Sequence, residues 1–181
     1  MPEAPRLFLI DTMSYIFRAY HQPQTQRFYT RAGFPTGAVF VFNNMLRKLL
    51  ADHQPEYVAA VFDASGPTFR DELFADYKAN RAEMPSELAQ QIPHIRRLLD
   101  ALYIPILEFP GYEADDVIGA LAVQGARAGL EVLIVSSDKD MLQLVTRQGA
   151  DTAGTVAVLI PTKDDLVCDA AKVEELLGVR P

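Results

Sequence analysis

Val132-Leu133-Ile134-Val135-Ser136-Ser137-Asp138-Lys139-Asp140 is a short unbroken apolar run that passes through two serines into a pair of carboxylates. A run of that length with no polar alternation suits a strand buried on both faces of a parallel sheet. Working outward, the same pattern occurs twice more: Leu7-Phe8-Leu9-Ile10 ends in Asp11, and Tyr57-Val58-Ala59-Ala60-Val61-Phe62 ends in Asp63. Between them, Thr36 to Leu50 carries Ala38, Val39, Phe42, Met45, Leu46, Leu49 and Leu50 at helical spacing. A second helix is predicted from about Ser86, with Leu88, Ile92, Ile95, Leu99 and Leu102 on one stripe, followed by a short apolar run from Ile104 to Leu107. After the turn Phe109-Pro110-Gly111-Tyr112, a helix opens on Glu113, Asp115 and Asp116 and is stopped by Gly129, and the stretch from Gly149 to Asp165 reads as a hairpin around Thr155 to Ile160. Short strands alternating with amphipathic helices predict an α/β fold, a mostly parallel twisted sheet with helices on both faces.

In such folds ligands bind outside the carboxyl ends of the strands. Asp11, Asp63 and the Asp138/Asp140 pair are thereby predicted to share one edge although they are far apart in the sequence. Each acidic residue alone is accounted for as a helix cap or as a favourable charge in a first helical turn. Capping does not explain why three strands deliver Asp to one edge, where like charges repel unless cations are bound. On helical geometry Glu113 and Asp116 are neighbours, whereas Asp115 points about 100° away from Asp116.

An oxygen-only donor set suits a hard cation such as Mg²⁺ or Mn²⁺, and two such ions clamp the attacking and leaving oxygens of a phosphodiester without a protein nucleophile. Other chemistries find less support. The three histidines, His21, His53 and His94, are isolated and read as surface or packing residues, and no Gly-rich phosphate loop is present. Cys168 is the single cysteine, which excludes an internal disulfide and a thiolate metal cage and reads as a small buried side chain.

The chain has 181 residues, 49% hydrophobic and 23% charged, enough for one core and one domain. Its apolar runs fall well below the ~20 residues of a membrane helix. The start, Met1 to Arg6, lacks the features of a signal peptide, so a cytoplasmic location is expected, and a monomer is expected because no uncompensated apolar stripe is evident. The net charge of −7 argues at first against nucleic acid. Setting the seven acidic candidates aside from the 24 Asp and Glu leaves 17, which equals the 17 Lys and Arg. The remaining surface is balanced.

Gly111-Tyr112-Glu113-Ala114-Asp115-Asp116-Val117, followed by Ser137-Asp138-Lys139-Asp140-Met141-Leu142-Gln143-Leu144, resembles the 5′ nuclease (flap endonuclease) family. The likeness is greatest to the form found as the N-terminal 5′-3′ exonuclease domain of bacterial DNA polymerase I. Val61-Phe62-Asp63, Phe69-Arg70 and Tyr77-Lys78-Ala79-Asn80-Arg81 follow that family's order and approximate spacing. The resemblance implies a resolvase-like or PIN-like fold, Mg²⁺ or Mn²⁺ with two ions in the complete enzyme, and cleavage of 5′ flaps, nicked duplexes or 5′ ends of DNA in replication and repair. It assigns metal binding to Asp11, Asp63, Glu113, Asp115, Asp116, Asp138 and Asp140, with Asp11, Asp63, Asp116, Lys78 and Arg81 catalytic. It makes residues 64–85 an arch or gateway insertion, where Arg70, Lys78 and Arg81 contact phosphates and Tyr77 stacks on a base.

The family usually has a small residue after its first Asp, where this chain has Thr12. Val173 to Pro181 resembles the stretch that precedes the family's helix-three-turn-helix DNA-binding region, which this chain does not include and which supplies further ligands for the second metal. A polymerase attached in the full-length protein is implied as well. The competing readings are a PIN-type ribonuclease and a module that binds branched DNA without cutting it. A phosphotransfer domain fits less well, since Asp11-Thr12-Met13 lacks the second Asp of the haloacid-dehalogenase pattern and a response regulator has no use for Glu113 to Asp116.

Overall fold

The computed structural model describes residues 4–23, 25, 28–74, 83–146, 153–161 and 164–181. Among them, six strands form one sheet: β1 (Arg6–Asp11), β2 (Tyr57–Val61), β3 (Ile106–Leu107), β4 (Glu131–Val135), β5 (Thr155–Ile160) and β6 (Leu166–Cys168). Their order is β3-β2-β1-β4-β5-β6, parallel throughout except that β6 runs antiparallel to β5. The helices are α1 (Thr12–Tyr20), α2 (Gly37–His53), α3 (Phe69–Leu73), α4 (Ser86–Ala89), α5 (Ile92–Ala101), α6 (Ala114–Arg127) and α7 (Ala170–Leu177), with a 3₁₀ helix at Lys139–Leu144.

The period of two along a strand sends successive side chains into two different cores. In β1, Phe8 and Ile10 join one core while Leu9 joins the other. The first core holds Tyr15 and Ile16 of α1, Phe42 and Leu46 of α2, and Ile95 and Leu99 of α5. The second holds Val117, Ile118 and Ala122 of α6 and Val173 of α7. The three-layer arrangement expected from the alternation of elements is therefore present. α6 lies close against the sheet at Gly125, where an added Cβ would stand 2.8 Å from Val132 Cγ2 and 3.3 Å from Leu7 Cδ2.

Two local expectations change. The helix predicted from Ser86 is two helices, α4 and α5, because Pro93 sits in the first turn of α5 and cannot donate to a preceding turn. Gln91 at the break is 1% exposed; its Nε2 donates to the Glu87 carbonyl at 2.9 Å and its Oε1 accepts from Val39 N at 3.2 Å, tying the break to α2. The hairpin expected around Thr155 to Ile160 is instead one whole strand, β5, paired parallel to β4, and the hairpin forms between β5 and β6. Val156 and Val158 enter one core and Leu159 the other, so this strand is buried on both faces. Cys168 on β6 is buried.

Candidate active site

The strand order reverses between β1 and β4: the chain leaves β1 toward β2 and β3, then returns through α6 to β4 on the other side of β1. A crevice opens at the carboxyl ends of the strands at such a switch point. Here it is a cleft of about 820 Å³ whose wall includes Asp11, Asp63, Glu113, Asp115 and Asp138.

Asp11, Asp63, Glu113 and Asp138 are each held by a backbone amide at the start of a helix. Asp11 closes β1 and caps α1: its Oδ1 accepts from Ser14 N at 3.2 Å, and the Ser136 hydroxyl donates to its Oδ2 at 2.7 Å. Asp63, just past β2, accepts at Oδ1 from Ala114 N, the first residue of α6, at 2.8 Å. Glu113 and Asp116 form a capping box on α6, with Asp116 Oδ2 accepting from Glu113 N at 3.1 Å. Asp138 caps the 3₁₀ helix by accepting from Asp140 N at 2.9 Å. The turn before α6 needs Gly111 at φ 84°, the left-handed region that favours glycine. Capping fixes one oxygen of Asp63 and of Asp138, and the second oxygen of each has no protein partner among the described residues.

Serines join the elements: Ser137 N donates to Ser14 Oγ at 3.1 Å, and Asp138 N donates to Ser136 Oγ at 3.0 Å. Ser136 is fully buried, Asp11 is 6% exposed and Glu113 is 7% exposed. Burial pushes the Asp11 carboxyl above the ordinary aspartate range; the Ser136 and Ser14 hydrogen bonds pull it down, and the nearby charges of Asp63 and Asp138 raise it further. Thr12 is fully buried and its hydroxyl donates to the Ile10 carbonyl at 3.2 Å, which accommodates the one departure from a small residue at that place.

Asp116 stands behind the cleft wall. The Arg70 guanidinium grips it with two bonds, Nη1 to Oδ2 at 2.6 Å and Nη2 to Oδ1 at 2.7 Å, and its Nη1 lies 3.6 Å from Glu113 Oε2. The same guanidinium lies 4.6 Å from the Phe69 ring centroid, and Phe69 N donates to the Gly111 carbonyl at 3.2 Å. The start of the 64–85 insertion is thus fastened to the start of α6. Asp140 is not on this cleft; it lines a separate cavity with Lys139, Gln143 and Arg180. Tyr77, Lys78 and Arg81 lie outside the described residues.

The family model for the 5′-3′ exonuclease, N-terminal resolvase-like domain, matches residues 6–178. The chain belongs to this family. DNA polymerase I of Mycobacterium tuberculosis is 44% identical over 159 residues, 88% of this chain and 17% of that protein. The 5′-3′ exonuclease of Aquifex aeolicus is 39% identical over 175 residues, 97% of this chain and 57% of that protein. The chain therefore spans a small part of the polymerase and little over half of the exonuclease. The bacteriophage T5 D15 flap endonuclease, solved in complex with DNA and metal ions, shares the fold at a TM-score of 0.67 and 18% identity, over 96% of this chain and 61% of that one.

Several residues at or beside the cleft of this exonuclease-family domain have a role that the sequence alone does not assign. Ser14, Ser136 and Ser137 become meaningful only once β1 and β4 are neighbours. Arg96, one position past Ile95 on the α5 stripe, also lines the cleft; its Nη2 contacts Glu108 Oε2 at 2.6 Å and its guanidinium lies 4.1 Å from the Phe62 ring centroid. The donor set fits a hard divalent ion, being all oxygen and electrostatically unfavourable without a counter-charge. Among the described residues no group of three His, Cys, Asp or Glu side chains is gathered closely enough to hold an ion by itself.

Proposed function

We propose that this chain is the catalytic domain of a divalent-metal-dependent 5′ nuclease that hydrolyses phosphodiesters at 5′ ends or flaps of DNA. The observation that carries this reading is the convergence of five carboxylates, from the ends of β1 and β2 and the starts of α6 and the 3₁₀ helix, on one cleft at the topological switch point. Asp11, Asp63, Glu113, Asp115 and Asp138 would hold Mg²⁺ or Mn²⁺, with Asp116 and Asp140 acting from the flanks of the site. Such ions supply Lewis-acid polarisation of the phosphate and a water of lowered pKa.

The chain's own residues orient the reacting groups. Ser136 and Ser14 fix the rotamer of Asp11, and the capping amides fix Asp63 and Asp138, so the acidic wall is set before substrate arrives. Arg70 with Lys78 and Arg81 of the arch insertion would bind phosphates beside the cleft, and Tyr77 would stack on an unpaired base. The polymerase relatives support a DNA polymerase attached in the full-length protein; a monomer acting in the cytoplasm is part of the same proposal. No helix among the described residues is long and apolar enough to cross a membrane.

The test is cleavage of a labelled 5′-flap duplex with Mg²⁺ or Mn²⁺, compared with EDTA, with single-stranded RNA and with the Asp116→Ala, Asp138→Ala double variant. Metal-dependent cutting of the flap that the double variant loses is the expected outcome. Preference for the RNA would replace this reading with a PIN-type ribonuclease. Tight DNA binding that is indifferent to metal and to loss of both carboxylates would replace it with a binding module.

A further inference from the structure

The cleft has two chemically different halves. One is the acidic wall. The other is formed by Met13, Phe17, Phe62, Met84, Ile92 and Arg96, and no metal chemistry needs apolar groups there. Met84 is 37% exposed, and Arg96 brings the one Lys or Arg on the described cleft wall. The Arg96 guanidinium is pre-oriented: the Phe62 ring lies under it and Glu108 holds one of its nitrogens. A planar fork held over an apolar floor is suited to a phosphate with an adjoining base, since guanidinium binds phosphate through paired N–H donors and every base has an apolar face.

We propose that this half of the cleft is a nucleotide subsite, in which Arg96 contacts the phosphate next to the scissile one and the Met84 and Ile92 side chains cover its base. The subsite rests on the reading of the cleft as a DNA nuclease site. It places one unpaired nucleotide beside the acidic wall, with the guanidinium N–H groups that Glu108 does not occupy as donors on the strand's path. The bland alternative is that Arg96 only ties α5 to the ends of β2 and β3 through Glu108 and Phe62.

Two variants separate these accounts. Arg96→Gln removes the phosphate contact and the tie, whereas Glu108→Gln removes only the tie and leaves the guanidinium over Phe62. Binding of a fluorescent single-stranded oligonucleotide by the 181-residue chain, in Ca²⁺ to suppress cutting, is followed by anisotropy over a range of salt. Arg96→Gln is expected to weaken binding roughly tenfold, as for loss of one charge-assisted contact, and to flatten the slope of log K against log salt by about 0.7. Arg96→Lys should restore most of the slope, and Glu108→Gln should bind at least as tightly as the unaltered chain.

Equal behaviour of Arg96→Gln and Glu108→Gln, or an unchanged salt slope in Arg96→Gln, would overturn the subsite while leaving the nuclease reading intact. Failure of the unaltered chain to bind the oligonucleotide at all would overturn both.

Discussion

The paired hydrogen bonds between Arg70 and Asp116 make a quantitative prediction about how the arch segment is fastened to the site. Asp116→Asn keeps an oxygen to accept from Glu113 N, so it removes the charge while sparing the capping box. Arg70→Met keeps the aliphatic stem beside Phe69 and removes the guanidinium. Exposed ion pairs contribute ~0.2–1 kcal/mol, and hydrogen bonds to charged groups ~1.5–3 kcal/mol. With side chains 30% and 23% exposed and two bonds of 2.6 and 2.7 Å, this pair belongs between those ranges, at about 1.5 kcal/mol of coupling. Urea unfolding of the unaltered chain, both single variants and the double variant, in EDTA, closes the cycle. The double variant should lose about 1.5 kcal/mol less than the sum of the singles, which corresponds to roughly 3–6 °C in Tm for a chain of this size. Additivity to within ~0.4 kcal/mol would show that the two groups do not act on each other in solution, and the contact would then contribute nothing to docking α3 on α6.

Three further outcomes follow from the geometry. Asp138 lines the acidic cleft and Asp140 does not, so Asp138→Ala should lower kcat/KM for flap cleavage more than ~100-fold and Asp140→Ala only about tenfold; equal losses would mean that Asp140 turns into the site on substrate binding. Burial raises the Asp11 carboxyl above 3.8, so the folded state holds that proton more tightly than the unfolded chain. The group then favours folding most below 3.8, loses that contribution as pH rises through its folded value, and imposes a cost at neutral pH. Without metal, Asp11→Asn should therefore melt higher than the unaltered chain at pH 7, converge with it in acid and cleave nothing; equal melting at pH 7 would show that the ionised carboxylate is fully compensated. Gly125→Ala should melt roughly 2–4 °C lower, because crowding against Val132 and Leu7 costs ~1–3 kcal/mol and exceeds the ~1 kcal/mol helix gain; an unchanged Tm would show that α6 can shift away from the sheet.

The parts legible in the sequence were those set by one local pattern. Unbroken apolar runs ending in Asp marked β1, β2 and β4, and the strand-end rule put their carboxylates on one edge. The break at Gln91 was not legible because Leu88, Ile92, Ile95 and Leu99 keep one stripe across it, and Pro93 is tolerated as an early residue of a new helix. β5 was misread as a hairpin because the pairing of Val156 and Val158 with β4 depends on a distant segment. Capping and cleft formation stand in the sequence as rival explanations for Asp11, Glu113 and Asp138. In the structure they are the same contacts: the amide that satisfies a helix start also fixes the carboxylate that faces the cleft.

The strand order explains why these residues meet and why they differ in solvation. β1 is flanked by β2 and β4, so Asp11 at its end is enclosed from both sides, while Asp63 and Asp138 at the neighbouring strand ends remain exposed. A doubly wound sheet that begins at its centre necessarily puts its first strand's last residue at the switch point. That residue carries the cost of burial, and it is the one given a buried serine partner, Ser136, from the strand on the far side of the switch. The exposed carboxylates beside it keep an oxygen turned to solvent, as a cation that stays partly hydrated requires.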